Sequence, residues 1–275
     1  MDTQLIKKKF QQIGSDVDFS DVGAFRGNIP IEVNVKTNKG KEIFDIATNS
    51  DDIDVSVMDI DQKNRHLLML IKRPVVNRIG KTMFWDKFKI LCGHDERHYF
   101  SAGIPESSGV STIMQAKESL LPEKFLVMHK QKGKKKNRLK RKNEVAHRQG
   151  EWIFIKSDFE PSDEGERIRK KEPISRGGGS KPHICEEVCN IGGKTVWVNN
   201  RFAPNGVSAK QMEMLMKKHG LSSHDFNQRT IEGTVYARGY VRHADHKTIN
   251  LPGWHEVLMN RENESAASRI SVFLD

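Results

Sequence analysis

Residues 54–72 read DVSVMDIDQKNRHLLMLIK. Val55 and Val57 alternate with polar neighbours, as in a strand with one face against a core. Asp61–Arg65 (DQKNR) is a turn. His66–Lys72 then returns as a more continuous apolar strand, so the stretch is a β-hairpin. Working outward from it, residues 3–14 carry Leu5, Ile6, Phe10 and Ile13 at helical spacing, and Ile31, Val33 and Val35 alternate as a strand. A second hairpin is expected from Phe88–Cys92 and His98–Ile104, connected through Gly93–Arg97. Ser111 is the expected cap of a helix of about ten residues that Pro122 stops. Residues 1–128 thus read as an α+β meander with a closing helix.

Residues 130–148 read KQKGKKKNRLKRKNEVAHR. Ten of these side chains are Lys or Arg and one is acidic, so the stretch carries +9 of the chain's +10, leaving about +1 for everything else. With only Leu139, Val145 and Ala146 as aliphatic residues it shows no face to bury, and residues 129–149 are expected as an exposed basic linker. Residues 150–275 then form a second β-rich domain. Its expected elements are a strand from Glu151, a short strand at Val196–Val198, and a Met-rich helix from Ser208 to Gly220. Strands follow at Thr234–Val241, Lys247–Leu251 and Glu256–Met259, and the tail ISVFLD is an edge strand. The fold class is α+β, two small β-rich units with few helices joined by the basic segment.

The chain has 275 residues, 36 % of them apolar, enough for packed cores and too many for disorder throughout. Its longest apolar run, Leu67–Ile71, is far shorter than a membrane span. The N-terminal residues lack the apolar stretch of a secretory signal. Three cysteines, Cys92, Cys185 and Cys189, cannot all pair with one another. These features point to a reducing, cytoplasmic location and no membrane partner.

The basic segment is the strongest functional signal. Lys134, Lys135, Lys136, Arg138, Lys140, Arg141 and Lys142 form a candidate phosphate-binding row that gains affinity by counterion release. RNA is favoured over DNA as the partner. Base stacking would have to come from outside the row, with Trp152 and Phe154 nearest. The alternative reading of the row itself is a solvated linker.

Four further constellations could carry chemistry. His243, Asp245 and His246, with His255 after Trp254, would form a metal or acid–base cluster if the chain turns at Ala244–Asp245. His94, Asp95 and His98 in the second hairpin turn are the rival. Arg176 and Lys181 flank Gly177–Gly179 ahead of an expected helix starting at Pro182, an arrangement suited to an anion. His183, Cys185 and Cys189 would supply three zinc ligands, the cysteines sharing one face of that helix and the fourth ligand coming from His243 or His255; two small core cysteines are the alternative. The functional expectation is nucleic-acid binding, with RNA favoured. The alternatives are a metal-dependent hydrolase acting on phosphodiesters and a scaffold for an acidic partner.

Overall fold

The structure is a computed structural model that describes residues 1–21, 31–48, 52–77, 81–105, 109–162, 168–176, 180–231, 233–265 and 271–272. Among these residues it is α+β and mostly β, with 51 % in strands and four helices. In chain order these are α1 (Thr3–Gln12), β1 (Val17–Ser20), β2 (Ile31–Asn38), β3 (Lys41–Thr48), β4 (Asp54–Asp61), β5 (His66–Val76), β6 (Thr82–Asp95), β7 (His98–Gly103), α2 (Ile113–Ser119) and α3 (Glu123–Lys132). Then come β8 (Ala146–Gln149), β9 (Trp152–Lys156), β10 (Ile168–Ile174), β11 (His183–Ile191), β12 (Lys194–Asn199), β13 (Ala203–Val207), α4 (Ala209–His219), β14 (Asn227–Ile231), β15 (Thr234–Arg242), β16 (Ile249–Met259) and β17 (Ser271–Val272).

The expected hairpin over 54–72 is β4–β5, the start of an antiparallel meander ordered β4-β5-β6-β7. Its unbroken apolar run follows from burial on both faces. Leu67, Met69 and Ile71 pack into one core with Phe10 of α1 and Phe44 of β3. Leu68 points the other way, into a second cluster with Ile113 and Ala116 of α2. Alternate residues of a strand face opposite sides, so a strand between two layers has no position for a polar residue. A second sheet, β1-β3-β2-β17, shares the first of these cores.

The larger sheet is antiparallel throughout, ordered β10-β11-β15-β16-β9-β8, and a small sheet β13-β12-β14 lies beside α4. Helix α4 keeps its expected limits: Ser208 accepts from the Gln211 N–H, and Gly220 ends it with φ 65°, a conformation glycine adopts without penalty. No helix among the described residues is long and apolar enough to cross a membrane.

Several expectations change. Residues 183–191 are a strand, not a helix: β11 pairs with β10 on one side and β15 on the other. The helix signals at Pro182, Glu186 and Glu187 are local, and two flanking strands supply a hydrogen-bond ladder that overrides them. The helix after Ser111 is capped one residue later, by Thr112 with Gln115 reaching back. Pro122 does not merely stop that helix; it opens α3, whose Phe125 and His129 are buried. The strands expected at 247–251 and 256–259 are one strand, β16, with a bulge opposite Ala237–Gly239 that absorbs Pro252 and Gly253. The glycines of 177–179 and most of the ISVFLD tail lie outside the described residues, although Ser271–Val272 does pair with β2.

The basic stretch is structured rather than free. Its start completes α3 and its end is β8, an edge strand on β9. Val145 and Ala146 are buried with Leu121, Phe125, Ile153 and Ile155, and Leu139 packs against that cluster. Three aliphatic side chains suffice because α3 and β9 provide the other walls.

Burial leaves two imidazoles neutral. His66 is pushed down to about 4 by burial and then by the nearby Lys117. His147 is pushed down to about 4 by burial and then by His255. In the folded state both bind fewer protons than their unfolded counterparts, whose pKa is about 6.5, so stability falls as pH drops from about 6.5 toward 4. Chemical denaturation at a series of pH values should show the midpoint falling across that window, and His147→Phe should lessen the fall. An unchanged midpoint between pH 7 and pH 5 would contradict the assignment.

Candidate metal centre and its cavity

A cavity of about 500 Å³ opens between the β6–β7 tip with α2 on one side and the β8–β9 turn on the other. That volume suits a small organic ligand. The β6–β7 tip is a clasp, and the strand β6 runs through His94 and Asp95 so that only Glu96 and Arg97 turn. Asp95 and Glu96 both pair with Arg141. Glu96 also accepts from the Lys247 backbone N–H at 2.5 Å. His98 lies 2.5 Å from Glu42 and 3.4 Å from Asp245. The expected rival site at His94, Asp95 and His98 is therefore divided: His94 stands edge-on to Tyr99, and the other two hold the sheets together.

The histidine cluster forms from two places in the larger sheet. His183 begins β11, and His243 and His246 follow β15 in the turn that was expected near Ala244–Asp245. One ligand nitrogen from each lies within 4.8 Å of the other two. The rings are nearly parallel, with centroids 4.1 Å apart for His183–His243 and 4.7 Å for His243–His246. Three imidazolium ions could not stack in this way. His243 is held below the usual imidazole range by burial and by its two histidine neighbours.

Gln149, Gly150 and Glu151 form the wall behind this cluster. The Gln149 amide nitrogen donates to the carbonyls of Val241 (3.2 Å) and Lys247 (2.8 Å), which fixes its orientation. Its oxygen, an acceptor only, lies 2.9 Å from His183 Nδ1. His183 Nδ1 therefore carries hydrogen, and Nε2 presents a lone pair in the neutral ring. Nε2 lies 3.5 Å from Glu151 Oε2. A protonated His183 donates Nε2–H to Glu151 at that separation, whereas in the neutral Nδ1–H tautomer a cation between the lone pair and the carboxylate takes the place of that proton. The other oxygen, Glu151 Oε1, is buried with no hydrogen-bond partner. Burial pushes the Glu151 carboxyl up, but the hydrogen bond with His183 and nearby charges outweigh it and hold the group below the usual range. Gly150, at φ 55°, closes the wall: a Cβ there would stand 2.7 Å from His246 Nε2.

The set fits a divalent cation that prefers nitrogen. Tetrahedral zinc with bonds of about 2.0–2.1 Å sets its ligand nitrogens about 3.4 Å apart, so the stacked rings would have to turn their in-plane nitrogens toward one point to close on the ion. His243 would exchange one of its two present contacts, Nε2 to the Lys181 carbonyl at 3.3 Å or Nδ1 from the Asp245 N–H at 3.2 Å.

Other expected site residues lie apart. Asp245 pairs with Lys181 at 2.6 Å and faces His98. Burial raises its pKa, but the Lys181 hydrogen bond and charge hold it low. His255 stacks edge-on against His147 and bonds the Gly253 carbonyl at 2.7 Å. Cys185 and Cys189 are buried on β11. Cys185 sits in the apolar core, where burial pushes its thiol up to about 12, the reverse of a metal-bound thiolate. Arg176 pairs with Glu262 in the interior, and Lys181 is taken by Asp245, so neither of the expected anion-binding cations stands alone. In the phosphate-binding row, Arg138 turns inward to Glu118 at 3.0 Å and Arg141 to the clasp. Lys134, Lys135, Lys136, Lys140 and Lys142 point to solvent.

Gln149→Leu keeps the buried shape while removing the bond that sets the His183 tautomer. Outer partners of this kind are typically worth about 10–100-fold in metal affinity, so competition with a chelating dye should show zinc held that much more weakly. Equal affinity would refute the tautomer argument. No protein-family model matches this chain, and no curated protein or solved structure matches it.

Proposed function

We propose that the chain is a metal-dependent hydrolase, with His183, His243 and His246 as the ligands and Glu151 as the acid–base group. Two β-rich units, residues 1–128 and 150–275, enclose the cavity where the substrate sits. The observation that carries this reading is the convergence of His183, His243 and His246, one ligand nitrogen of each within 4.8 Å of the others, with Glu151 3.5 Å from His183 Nε2. Neutral imidazoles suit zinc among the common divalent ions. Such a cation supplies Lewis acidity and lowers the pKa of a bound water. Glu151, held ionised and with one buried oxygen lacking a hydrogen-bond partner among the described residues, would accept a proton from the attacking water. The hydroxyl goes to the phosphorus or carbonyl centre and hydrogen to the leaving oxygen.

Elemental analysis after zinc loading should find the metal in the wild-type chain and lose it in His183→Ala and His246→Ala. Turnover of an activated phosphodiester such as bis(p-nitrophenyl) phosphate should fall with it. Glu151→Gln should retain zinc but lose about 10²–10⁴-fold in turnover, the usual range for a positioned acid–base group. A chain that holds no zinc, or variants that turn over like the wild type, would sink the proposal.

A second reading, nucleic-acid binding, is supported by the exposed lysines of residues 130–142, RNA being favoured. Seven lysines, from Lys130 to Lys142, face solvent while the arginines of the same stretch face inward. Lysine heads that need no fixed geometry suit phosphate neutralisation without sequence readout. Replacing Lys134, Lys135, Lys136, Lys140 and Lys142 together by Gln should flatten the salt dependence of RNA binding, by up to about 0.9 in log–log slope per lost phosphate contact, without lowering the thermal midpoint. An unchanged slope would end this reading.

A further inference from the structure

The charges that line the cavity can be paired off one by one. Arg141 answers Asp95, Arg176 answers Glu262, and Lys181 answers Asp245. Glu42 is taken by His98, and Glu151 faces His183. Two lining cations remain, Lys117 from α2 and Arg148 from β8. Neither forms an ion pair with a described carboxylate. Lys117 has only the neutral Nδ1 of His66, at 3.5 Å.

Asp95 attracts both at longer range, and Asp61 attracts Lys117, but Asp95 is in contact with Arg141; half-buried cations outside any ion pair are costly, and these two also repel one another. Lys117 is held below the usual lysine range by burial; Asp61 and Asp95 oppose the shift and Arg148 adds to it. Burial likewise depresses Arg148. The alternation of β8 keeps Arg148 there: His147 faces the His255 side, so the next residue faces the cavity. Arg148 is also three residues before Glu151, so one short turn sets both the cation and the carboxylate that approaches the histidines.

We propose that Lys117 and Arg148 form the subsite for a phosphoryl oxyanion of the substrate, so that the hydrolase takes a phosphorylated small molecule into the cavity. This rests on the hydrolase reading for the reaction, but the subsite stands on the charge arrangement alone. The guanidinium fork of Arg148 matches two phosphoryl oxygens, and the Lys117 ammonium supplies a point charge beside it. Because the cavity walls exclude much of the solvent, each contact is stronger than the same pair at the surface.

Inorganic phosphate is the probe, titrated calorimetrically into the full chain at low ionic strength, with acetate in parallel. Phosphate should bind at one saturable site and acetate at least tenfold more weakly. Lys117→Met should weaken phosphate at least tenfold. Arg148→Lys, which keeps the charge if Arg148→Gln fails to fold, should weaken it by a similar factor. The five-lysine Gln variant should bind phosphate as the wild type does, which separates the cavity from the surface row. His246→Ala, which removes a metal ligand, should leave phosphate affinity within about threefold, whereas zinc content in Lys117→Met should be normal. Wild-type affinity in Lys117→Met, or acetate binding as tightly as phosphate, overturns the subsite. Loss of zinc binding from the wild type alone would overturn the hydrolase reading and leave the subsite standing.

Discussion

The buried amide of Gln149 is the constraint on which the centre depends. A primary amide almost fully removed from water must satisfy both its donors and its acceptor internally. Gln149 does so with two carbonyls from the β15–β16 region and one imidazole. Those three bonds pin the β8–β9 turn across the ends of strands that are not its neighbours in the sheet. The bulge in β16 makes the reach feasible, since bulges bend the strand that carries them. Once the turn is pinned, Gly150 must lie against His246 and Glu151 against His183. A tautomer, a close approach and a carboxylate position thus follow from one side chain.

Around that point, charged pairs also join elements distant in sequence. Arg141 with Asp95 and Glu96, Arg176 with Glu262, and Glu96 with the Lys247 N–H all bridge elements distant in sequence. Breaking a pair of this kind strands a partly buried charge, which costs more than the pair contributed. Such contacts hold one relative arrangement of the sheets strictly while leaving the space between them polar and hydratable. A greasy interface would have closed the cavity; a charged one keeps it open.

Much of the fold was legible because it is set by short-range patterns. Two-residue alternation marked β4, a continuous apolar run marked β5, and Ser208 with Gly220 bounded α4. What failed was the weighing of local helix signals at 182–189 against a sheet whose other strands lie far away in sequence. Helix α3 was hidden because its lysine-rich surface masked the Phe125–His129 spacing. In the site, His183, His243 and His246 were each singled out, and His243 or His255 was expected as a fourth ligand beside His183, but His246 was not joined to that set. Nothing in the chain between them states that β11 and the end of β15 are antiparallel neighbours. Cys185 and Cys189 accompanied His183 only under the helical reading, where i and i+4 share a face. Gln149, Gly150 and Glu151 were overlooked because the basic run ahead of them read as solvated, although the Gln-Gly-Glu-Trp turn into β9 was visible.

The division of labour within residues 130–148 follows from side-chain chemistry. Arginine keeps its charge when desolvated and binds carboxylates through a planar fork, whereas lysine is strongly hydrated and loses its proton readily on burial. In a stretch that must pack on α3 and β9, the arginines are therefore the basic residues that can turn inward, as Arg138, Arg141 and Arg148 do. The lysines remain in water. A sequence count of positive charge treats the two types alike and sees a single row; the folded chain separates them into an inner set that shapes the cavity and an outer set that shapes the surface potential.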